Sequence, residues 1–215
     1  MKKSWVVIIV VFGVLILDQV LKFWVKTHME YGEQISILGL SWANIHFVEN
    51  NGMAFGLSLG EKWGKLVLSL FRLVAIMFLI YYIIKMVKSK YSNLQLICFS
   101  LILAGAVGNM IDSAFYGLIF SETPYHSGLA QFMPPNGGYA GFLYGKVVDM
   151  LYFPMIEGNF PSWFPVWGGE HFLFFRPVFN IADSSISIGV MLILIFQRSF
   201  FHKELEENKT EALGE

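Results

Sequence analysis

Three long apolar stretches constrain the fold of this chain more than any other feature. They run from about residue 5 to 25, from 66 to 87 and from 96 to 116 of the 215 residues. Each is long enough to cross the hydrocarbon core of a bilayer, which takes roughly 20 helical residues. A fourth stretch, 181–200, begins with polar residues and then becomes purely apolar. We therefore predict an all-α membrane protein with four transmembrane helices.

The overall composition agrees with a membrane location. Hydrophobic residues make up 55% of the chain and charged residues 14%, whereas an average soluble domain carries about 25% charged residues. The net charge of −1 gives no indication of a nucleic-acid partner. The one cysteine, Cys98, lies inside the third apolar stretch without a histidine near it in sequence. We interpret it as a packing residue and not as a nucleophile.

The N-terminus begins like a signal peptide, because Lys2 and Lys3 precede an apolar run. The small-residue cleavage pattern that follows such a run is missing, however. The apolar run continues instead into Asp18 and Lys22. We expect this segment to be retained as the first helix.

The positions of the cations predict the orientation in the membrane. Lysine and arginine gather at the start of helix 1, between helices 2 and 3, and after helix 4: Lys2, Lys3, Lys85, Lys88, Lys90, Arg198, Lys203 and Lys209. Since cytoplasmic segments carry an excess of these residues, both termini are expected in the cytoplasm. Residues 1–202 would form a single membrane domain, and 203–215 a charged, disordered cytoplasmic tail.

Two outer-face segments remain, 27–64 and 117–177. The first contains short alternating runs with glycine between them, which predicts a small periplasmic β-cradle. The second is an extended loop rich in glycine, proline and aromatic residues. Its aromatic side chains fit two interpretations, a belt at the membrane interface or a cap over a membrane-facing cleft.

Several polar residues, whose burial inside a membrane costs free energy, lie at one depth of the predicted bundle. At 1.5 Å of rise per residue, Asp18 lies about 20 Å from the cytoplasmic end of helix 1. Asn109 and Asp112 lie near that height on helix 3, and Asn180 and Asp183 occupy the first turn of helix 4. Asp149 lies in the outer loop within an apolar run. Because ionisable groups inside membranes are usually functional, we expect a shared polar site near the non-cytoplasmic face.

Each of these pairs also fits a purely structural role. Asp18 and Lys22 have the i, i+4 spacing of a helix-surface ion pair. Asn180 and Asp183 have the spacing of a capping box. Asn109 and Asp112 are placed to join helices by hydrogen bonds, and the small residues at 104–106 and 108 would let another helix approach closely. Asp149 lacks a partner nearby in sequence, which makes it the strongest functional candidate.

The residue types favour hydrolysis by a pair of carboxylates. The five histidines are scattered without metal-binding spacing, so no metal is expected. A serine nucleophile would lack an obvious base in this sequence. Two carboxylates held together share a proton, so that one activates water while the other polarises the scissile carbonyl.

Five blocks of sequence carry these polar residues in a fixed order. They are Asp18-Gln19-x-x-Lys22, Asn51-Gly52-Met53-Ala54-Phe55, Gly105-Ala106-Val107-Gly108-Asn109-Met110-Ile111-Asp112, Val147-Val148-Asp149 and Phe179-Asn180-Ile181-Ala182-Asp183-Ser184. In this order, on a four-helix membrane chain, they resemble the lipoprotein signal peptidases, also called signal peptidase II. The resemblance extends from the first helix to the fourth.

The resemblance implies an aspartic endopeptidase of the bacterial inner membrane, with its site near the periplasmic face. It implies removal of the signal peptide from diacylglyceryl-modified prolipoproteins, just before the lipidated cysteine. The lipid chains would enter from the bilayer, and the enzyme would act as a monomer without a cofactor. The implied catalytic dyad is Asp149 and Asp183. The implied supporting residues are Asp18, Lys22, Asn51, Asn109, Asp112, Asn180 and Ala182.

The sequence departs from the family pattern in several places. Ser113 stands where the family usually has arginine, so Arg72, Lys22 or Arg176 would have to supply the cation. Met150 replaces an aromatic residue, and Ala104 replaces a glycine. An apparent insertion at about 121–142, whose fold we do not predict, would form part of a lid or contact a partner.

Two other functions fit intramembrane carboxylates. A proton-coupled transporter uses such groups, but four helices are few for one and no inverted repeat is visible. A structural or assembly protein would use the aspartates and asparagines only to hold helices together.

Overall fold

The structure is a computed structural model that describes residues 2–51, 61–174 and 176–196. Residues 52–55 of the Asn51–Phe55 block and the predicted tail at 203–215 lie outside these residues. The helices are α1 Lys3–His28, α2 Glu61–Lys88, α3 Asn93–Ile111 and α4 Ile181–Phe196. The strands are β1 Gln34–Ser36, β2 Asn44–Asn50, β3 Val147–Tyr152, β4 Ile156–Asn159, β5 His171–Phe174 and β6 Val178–Phe179.

Three of the four predicted spans are confirmed as helices of membrane-spanning length. In α1 and in α2, only 17% of the most apolar 18-residue stretch is buried inside the protein. Large apolar side chains such as Phe12 and Phe78 are exposed. An exposed apolar helix surface of this kind suits contact with lipid. The described part of α4 is shorter than the roughly 20 residues that a span requires, and 197–200 lie outside the described residues. The fourth crossing therefore stays a prediction.

The helix changes its winding at Asp112, directly after the C-terminal end of α3. A π-helical turn, Asp112–Tyr116, follows α3 and leads into a last helical turn, Gly117–Ile119. The predicted helix at 96–116 is thus correct in extent, but sequence periodicity did not reveal the π turn. Such turns are uncommon and frequently occur at functional sites.

The sheet draws on both outer-face segments. Its order is β1-β2-β3-β6, and all neighbouring strands are antiparallel. β1 and β2 confirm the strands predicted for 27–64. The placement of Asp149 in a loop was wrong, because Asp149 lies on β3 opposite Val48 of β2. β3 is a short apolar run, buried along most of its length, and such a run lacks the polar alternation that marks a half-buried strand.

The insertion at 121–142 folds back on the end of α3. Phe120 and Phe132 form an isolated β-bridge, and the backbone N–H of Tyr139 donates to the carbonyl of Phe120 at 3.0 Å. Phe120 belongs to a buried apolar cluster with Val25, Met29, Phe47, Tyr116, Val148 and Met150. The insertion is thereby attached to the same core as the sheet.

The β4–β5 hairpin carries aromatic residues of the predicted loop at 117–177. Phe160 packs against Phe164, Trp167 and Phe172, with ring centroids 4.8–5.9 Å apart. Trp163 at the tip is 76% exposed. This arrangement suits a membrane-interface belt and a cap equally, so both interpretations remain predictions.

The chain divides into two compact units. One comprises Met1–Leu17, Leu70–Met110 and Ala182–Glu215, and the other Asp18–Ser69 and Ile111–Ile181. The first unit holds helical segments, and the second holds the sheet, the insertion, the C-terminal part of α1 and the N-terminal part of α2. Asp183 belongs to the first unit and Asp149 to the second.

Candidate active site

A buried ionic cluster joins α1 to the π turn in the second unit. The ammonium of Lys22 lies 2.9 Å from Oδ2 of Asp18 and 2.8 Å from Oδ2 of Asp112, and all three side chains have no exposed surface. The amide of Gln19 donates to Asp18 at 3.1 Å and to Asp112 at 2.9 Å. The predicted Asp18–Lys22 ion pair is present, but its ammonium is shared with a second carboxylate.

The cluster continues into β3 through the backbone. The N–H of Val148 donates to Oδ2 of Asp112 at 3.2 Å. The amide of Asn180 donates to Val148 O at 3.3 Å and to Oδ1 of Asp149 at 2.7 Å. Asp149 is 2% exposed, and a carboxylate buried in apolar surroundings requires a hydrogen-bond partner. Asn180, which is distant in sequence, is such a partner. Asp112 and Asn180 therefore hold the strand that carries Asp149.

Asp183 has a comparable partner in the first unit. The amide of Asn109 on α3 donates to Oδ1 of Asp183 on α4 at 2.7 Å. Because α4 begins at Ile181, Asn180 occupies the N-cap position and Asp183 lies in the first turn, as predicted. The helix macrodipole stabilises an anion at that position.

Close packing fixes α4 against α3 beside this carboxylate. A Cβ atom at Gly105 would lie 2.2 Å from the carbonyl oxygen of Ala182, and one at Gly189 would lie 2.7 Å from the carbonyl oxygen of Cys98. Ala182 is itself completely buried. The approach predicted from the small residues of α3 is thus confirmed at Gly105.

Asn51, the last described residue before 52–60, contacts Lys65. Sequence reasoning had not named Lys65 as a site residue. The ammonium of Lys65 on α2 lies 3.4 Å from Oδ1 of Asn51, and Lys65 is 5% exposed. Lys22 pairs with Asp112, the residue before Ser113, and which cation replaces the family's arginine stays a prediction. Among residues 2–51, 61–174 and 176–196, no group of three or more metal-binding side chains gathers.

Sequence reasoning also missed Lys26 and Glu49, which form a second buried ion pair in the second unit. The signal was present, since Asp18, Lys22 and Lys26 recur every four residues along one face of α1. Glu49 precedes a family block and carried no such signal.

Comparison with known proteins decides the family. A family model described as signal peptidase (SPase) II matches residues 10–199. The chain belongs to the signal peptidase II family. A protein named lipoprotein signal peptidase from Porphyromonas gingivalis is 56% identical over 182 residues, which are 84% of this chain and 77% of that protein. Another of that name from Amoebophilus asiaticus is 36% identical over 96% of this chain and 83% of its own length.

Solved structures agree with this assignment. A bacterial membrane enzyme determined by the in meso method at 2.3 Å resolution superposes with a TM-score of 0.57 and 25% identity, over 90% of this chain and 87% of that one. Signal peptidase II is an aspartic peptidase family, so the chain is a multi-pass membrane protease. The transporter and scaffold interpretations are set aside by this membership.

Proposed function

We propose that this signal peptidase II removes the signal peptide from diacylglyceryl-modified prolipoproteins by cutting before the lipidated cysteine. The proposal rests on family membership and on relatives that are named lipoprotein signal peptidase. The three apolar helices support it, because a substrate that carries two acyl chains is presented from the bilayer.

We assign the hydrolysis to Asp149 and Asp183. In this mechanism the ionised carboxylate takes a proton from water, and the protonated carboxylate donates a hydrogen bond to the scissile carbonyl. The proton belongs to the pair and is not assigned to either residue. No metal, cofactor or covalent intermediate is needed.

One observation carries the assignment: each of the two carboxylates accepts a 2.7 Å hydrogen bond from an asparagine amide, Asn180 for Asp149 and Asn109 for Asp183. A hydrogen bond of this kind orients the carboxylate that accepts it. Asp18 and Asp112, in contrast, are both engaged with the ammonium of Lys22. Lys22, Asp18, Asp112, Asn51 and Ala182 are therefore proposed as supporting residues.

The proposed location is the bacterial inner membrane, with both termini in the cytoplasm and the site near the periplasmic face. The lysines at Lys85, Lys88 and Lys90, between α2 and α3, support this orientation. In this arrangement α4 completes a fourth crossing. The enzyme is proposed to act as a monomer.

A cleavage assay tests the function and the dyad together. Purified protein in liposomes is given a diacylglyceryl-modified prolipoprotein or its unlipidated counterpart, and the product is followed by gel shift. We expect cleavage of the lipidated substrate only, and complete loss of cleavage in Asp149→Asn and in Asp183→Asn. Glu170→Gln, at an exposed position of the hairpin, removes a carboxylate by the same change and should leave cleavage unaltered.

Folding of the variants separates catalysis from scaffolding. A catalytic role predicts that both aspartate variants accumulate and unfold at temperatures close to that of the unaltered protein. If both failed to fold in detergent, the carboxylates would be structural. If well-folded unaltered protein did not cut the lipidated substrate, the proposed function would be wrong.

A further inference from the structure

A second buried ionic cluster lies one turn beyond Lys22 on α1. The ammonium of Lys26 donates to Oε1 of Glu49 and, at 3.0 Å, to the hydroxyl of Thr123. That hydroxyl in turn donates to Oε1 of Glu49 at 3.0 Å. The side chain of Lys26 is completely buried and that of Glu49 is 3% exposed. Phe120 and Tyr139 place their rings 5.3 and 5.2 Å from the ammonium, where cation–π attraction adds to the ion pair.

Lys146 completes this cluster at its more exposed side. Its ammonium lies 3.6 Å from Oε2 of Glu49 and 3.5 Å from Oε1 of Glu122. Its backbone N–H donates to the hydroxyl of Tyr139 at 2.6 Å. Burial on its own lowers the pKa of Lys146, but Glu49, with Tyr125 and Glu122, raises it above the ordinary lysine value. Lys146 is therefore a cation at neutral pH, and it lies beside the carboxylate of Glu49.

We call Lys26, Glu49, Thr123 and Lys146 the brace, because they come from three separate parts of the second unit. Lys26 lies on α1 and Glu49 on β2, whereas Thr123 and Lys146 lie in the segment between α3 and β3. Glu49 is opposite Val148 in the sheet, and the next pair in the register is Val48 with Asp149. The brace thus fixes β2 at the point where β2 pairs with the strand that carries Asp149.

Stability alone is a weak reason for such a cluster. Removing two charges from water costs several kcal/mol per ion, and a buried pair can often be replaced by apolar residues without loss of stability. A buried ion pair does impose one geometry on the elements that it joins, because any shift leaves a charge without its partner. The brace is therefore better suited to fixing a position than to adding stability.

We propose that the brace positions β3, and hence Asp149, for peptide hydrolysis, with Lys26 and Glu49 as positioning residues. The inference rests on the proposed function. It makes the insertion at 121–142 a working part of the site, since the insertion supplies Thr123 and ends just before Lys146. The lid and partner-contact interpretations of this segment do not account for its buried polar contacts with α1 and β2.

The test uses Lys26→Met, Glu49→Gln and the double variant in the full-length enzyme, assayed in liposomes with the lipidated substrate. A reacting group misplaced by about 1 Å can cost roughly a hundredfold in rate. We expect kcat to fall by about tenfold to a hundredfold, while KM stays within about twofold of the unaltered value because the substrate's binding surface is retained. Glu122→Gln, which removes a 67% exposed carboxylate near the same Lys146, should leave kcat within about twofold.

The double variant keeps the test decisive. Each single change leaves a buried charge with fewer partners and lowers stability, whereas the double variant removes both charges and should fold. Hydrogen exchange on that variant should show faster exchange of the β2–β3 amides, which reports the loosened strand directly.

Two results would overturn the proposal. A folded double variant with unaltered kcat would show that the brace has no part in catalysis. Failure of all three variants to fold would show that the pair is a folding element. Both results differ from failure of the proposed function, in which the unaltered enzyme itself does not cut or Asp149→Asn remains active.

Discussion

At the residue scale, the structure shows that the alternatives seen in the sequence are not exclusive. Asp18 and Lys22 do form the i, i+4 pair that a structural interpretation predicts, yet the same ammonium holds Asp112. Asn109 does join two helices, yet its partner on α4 is Asp183. Spacing along one helix reveals possible local pairs, but it cannot show which residue of a distant element completes them.

The charge balance around Lys22 yields a prediction on stability. Lys22→Met would leave Asp18 and Asp112 buried without their ammonium, and breaking a buried ion pair in this way costs about 3–5 kcal/mol. Asp18→Asn should cost clearly less, because it leaves one ammonium with one carboxylate. Thermal unfolding of the purified variants in detergent measures the difference.

The matched control for this prediction is Lys88→Met. It makes the same change at an exposed position near the end of α2, where substitutions usually alter stability by no more than about 0.5 kcal/mol. If Lys22→Met unfolded at the same temperature as Lys88→Met, the ionic cluster would not contribute to the stability of the fold.

At the element scale, the sequence predicted what is encoded locally and missed what depends on pairing. The spans were predicted because apolar length is read directly from the chain. β1 and β2 were predicted from their alternation, whereas β3 was missed because it is an apolar run whose identity as a strand depends on pairing with β2. Neither apolar length nor alternation predicts the π turn at Asp112–Tyr116.

The contact between α3 and α4 leads to a prediction for Gly105. Even a methyl group at this position would lie 2.2 Å from the carbonyl oxygen of Ala182 and 2.6 Å from the hydroxyl of Ser185. Gly105→Ala must therefore push the helices apart at the level of Asp183. We expect a loss of about 1–3 kcal/mol, as for other overpacked sites, together with a lower kcat.

Gly13→Ala provides the comparison within the same protein. Nothing lies within 4 Å of a Cβ atom at Gly13, and replacing a glycine by alanine inside a helix favours the helix by roughly 0.5–1 kcal/mol. The two identical substitutions should thus change the unfolding temperature in opposite directions. A shift of the same sign in both would contradict the close approach of α3 and α4.

At the scale of the whole molecule, the family resemblance gave the function class that composition alone could not give. The polar residues predicted a site at one depth, and the structure places their partners in two compact units. The insertion could not be predicted because Lys26 and Glu49, which fix it, are distant from it in sequence. Its polar contacts became visible only once α1, β2 and residues 121–146 were placed together.

Transmembrane topology is the last prediction and belongs to the whole chain. Single cysteines are introduced into a Cys98→Ser background at His126 in the insertion, at Lys90 between α2 and α3, and at Thr210 near the C-terminus. Spheroplasts are then treated with a membrane-impermeant maleimide, with permeabilised cells as the control for reactivity. Three crossings by α1, α2 and α3 place His126→Cys outside, where it should be labelled in intact spheroplasts, and Lys90→Cys inside, where labelling should require permeabilisation.

The Thr210→Cys variant decides whether a fourth crossing follows. If the segment that begins with α4 spans the bilayer, the C-terminus returns to the cytoplasm and this thiol reacts only after permeabilisation. Labelling of Thr210→Cys in intact spheroplasts would mean that the chain ends on the outer side, so that the positive-inside assignment fails for the tail. Labelling of Lys90→Cys in intact spheroplasts would invert the whole orientation and move the proposed site to the cytoplasmic face, where a periplasmic signal-peptide cleavage could not occur.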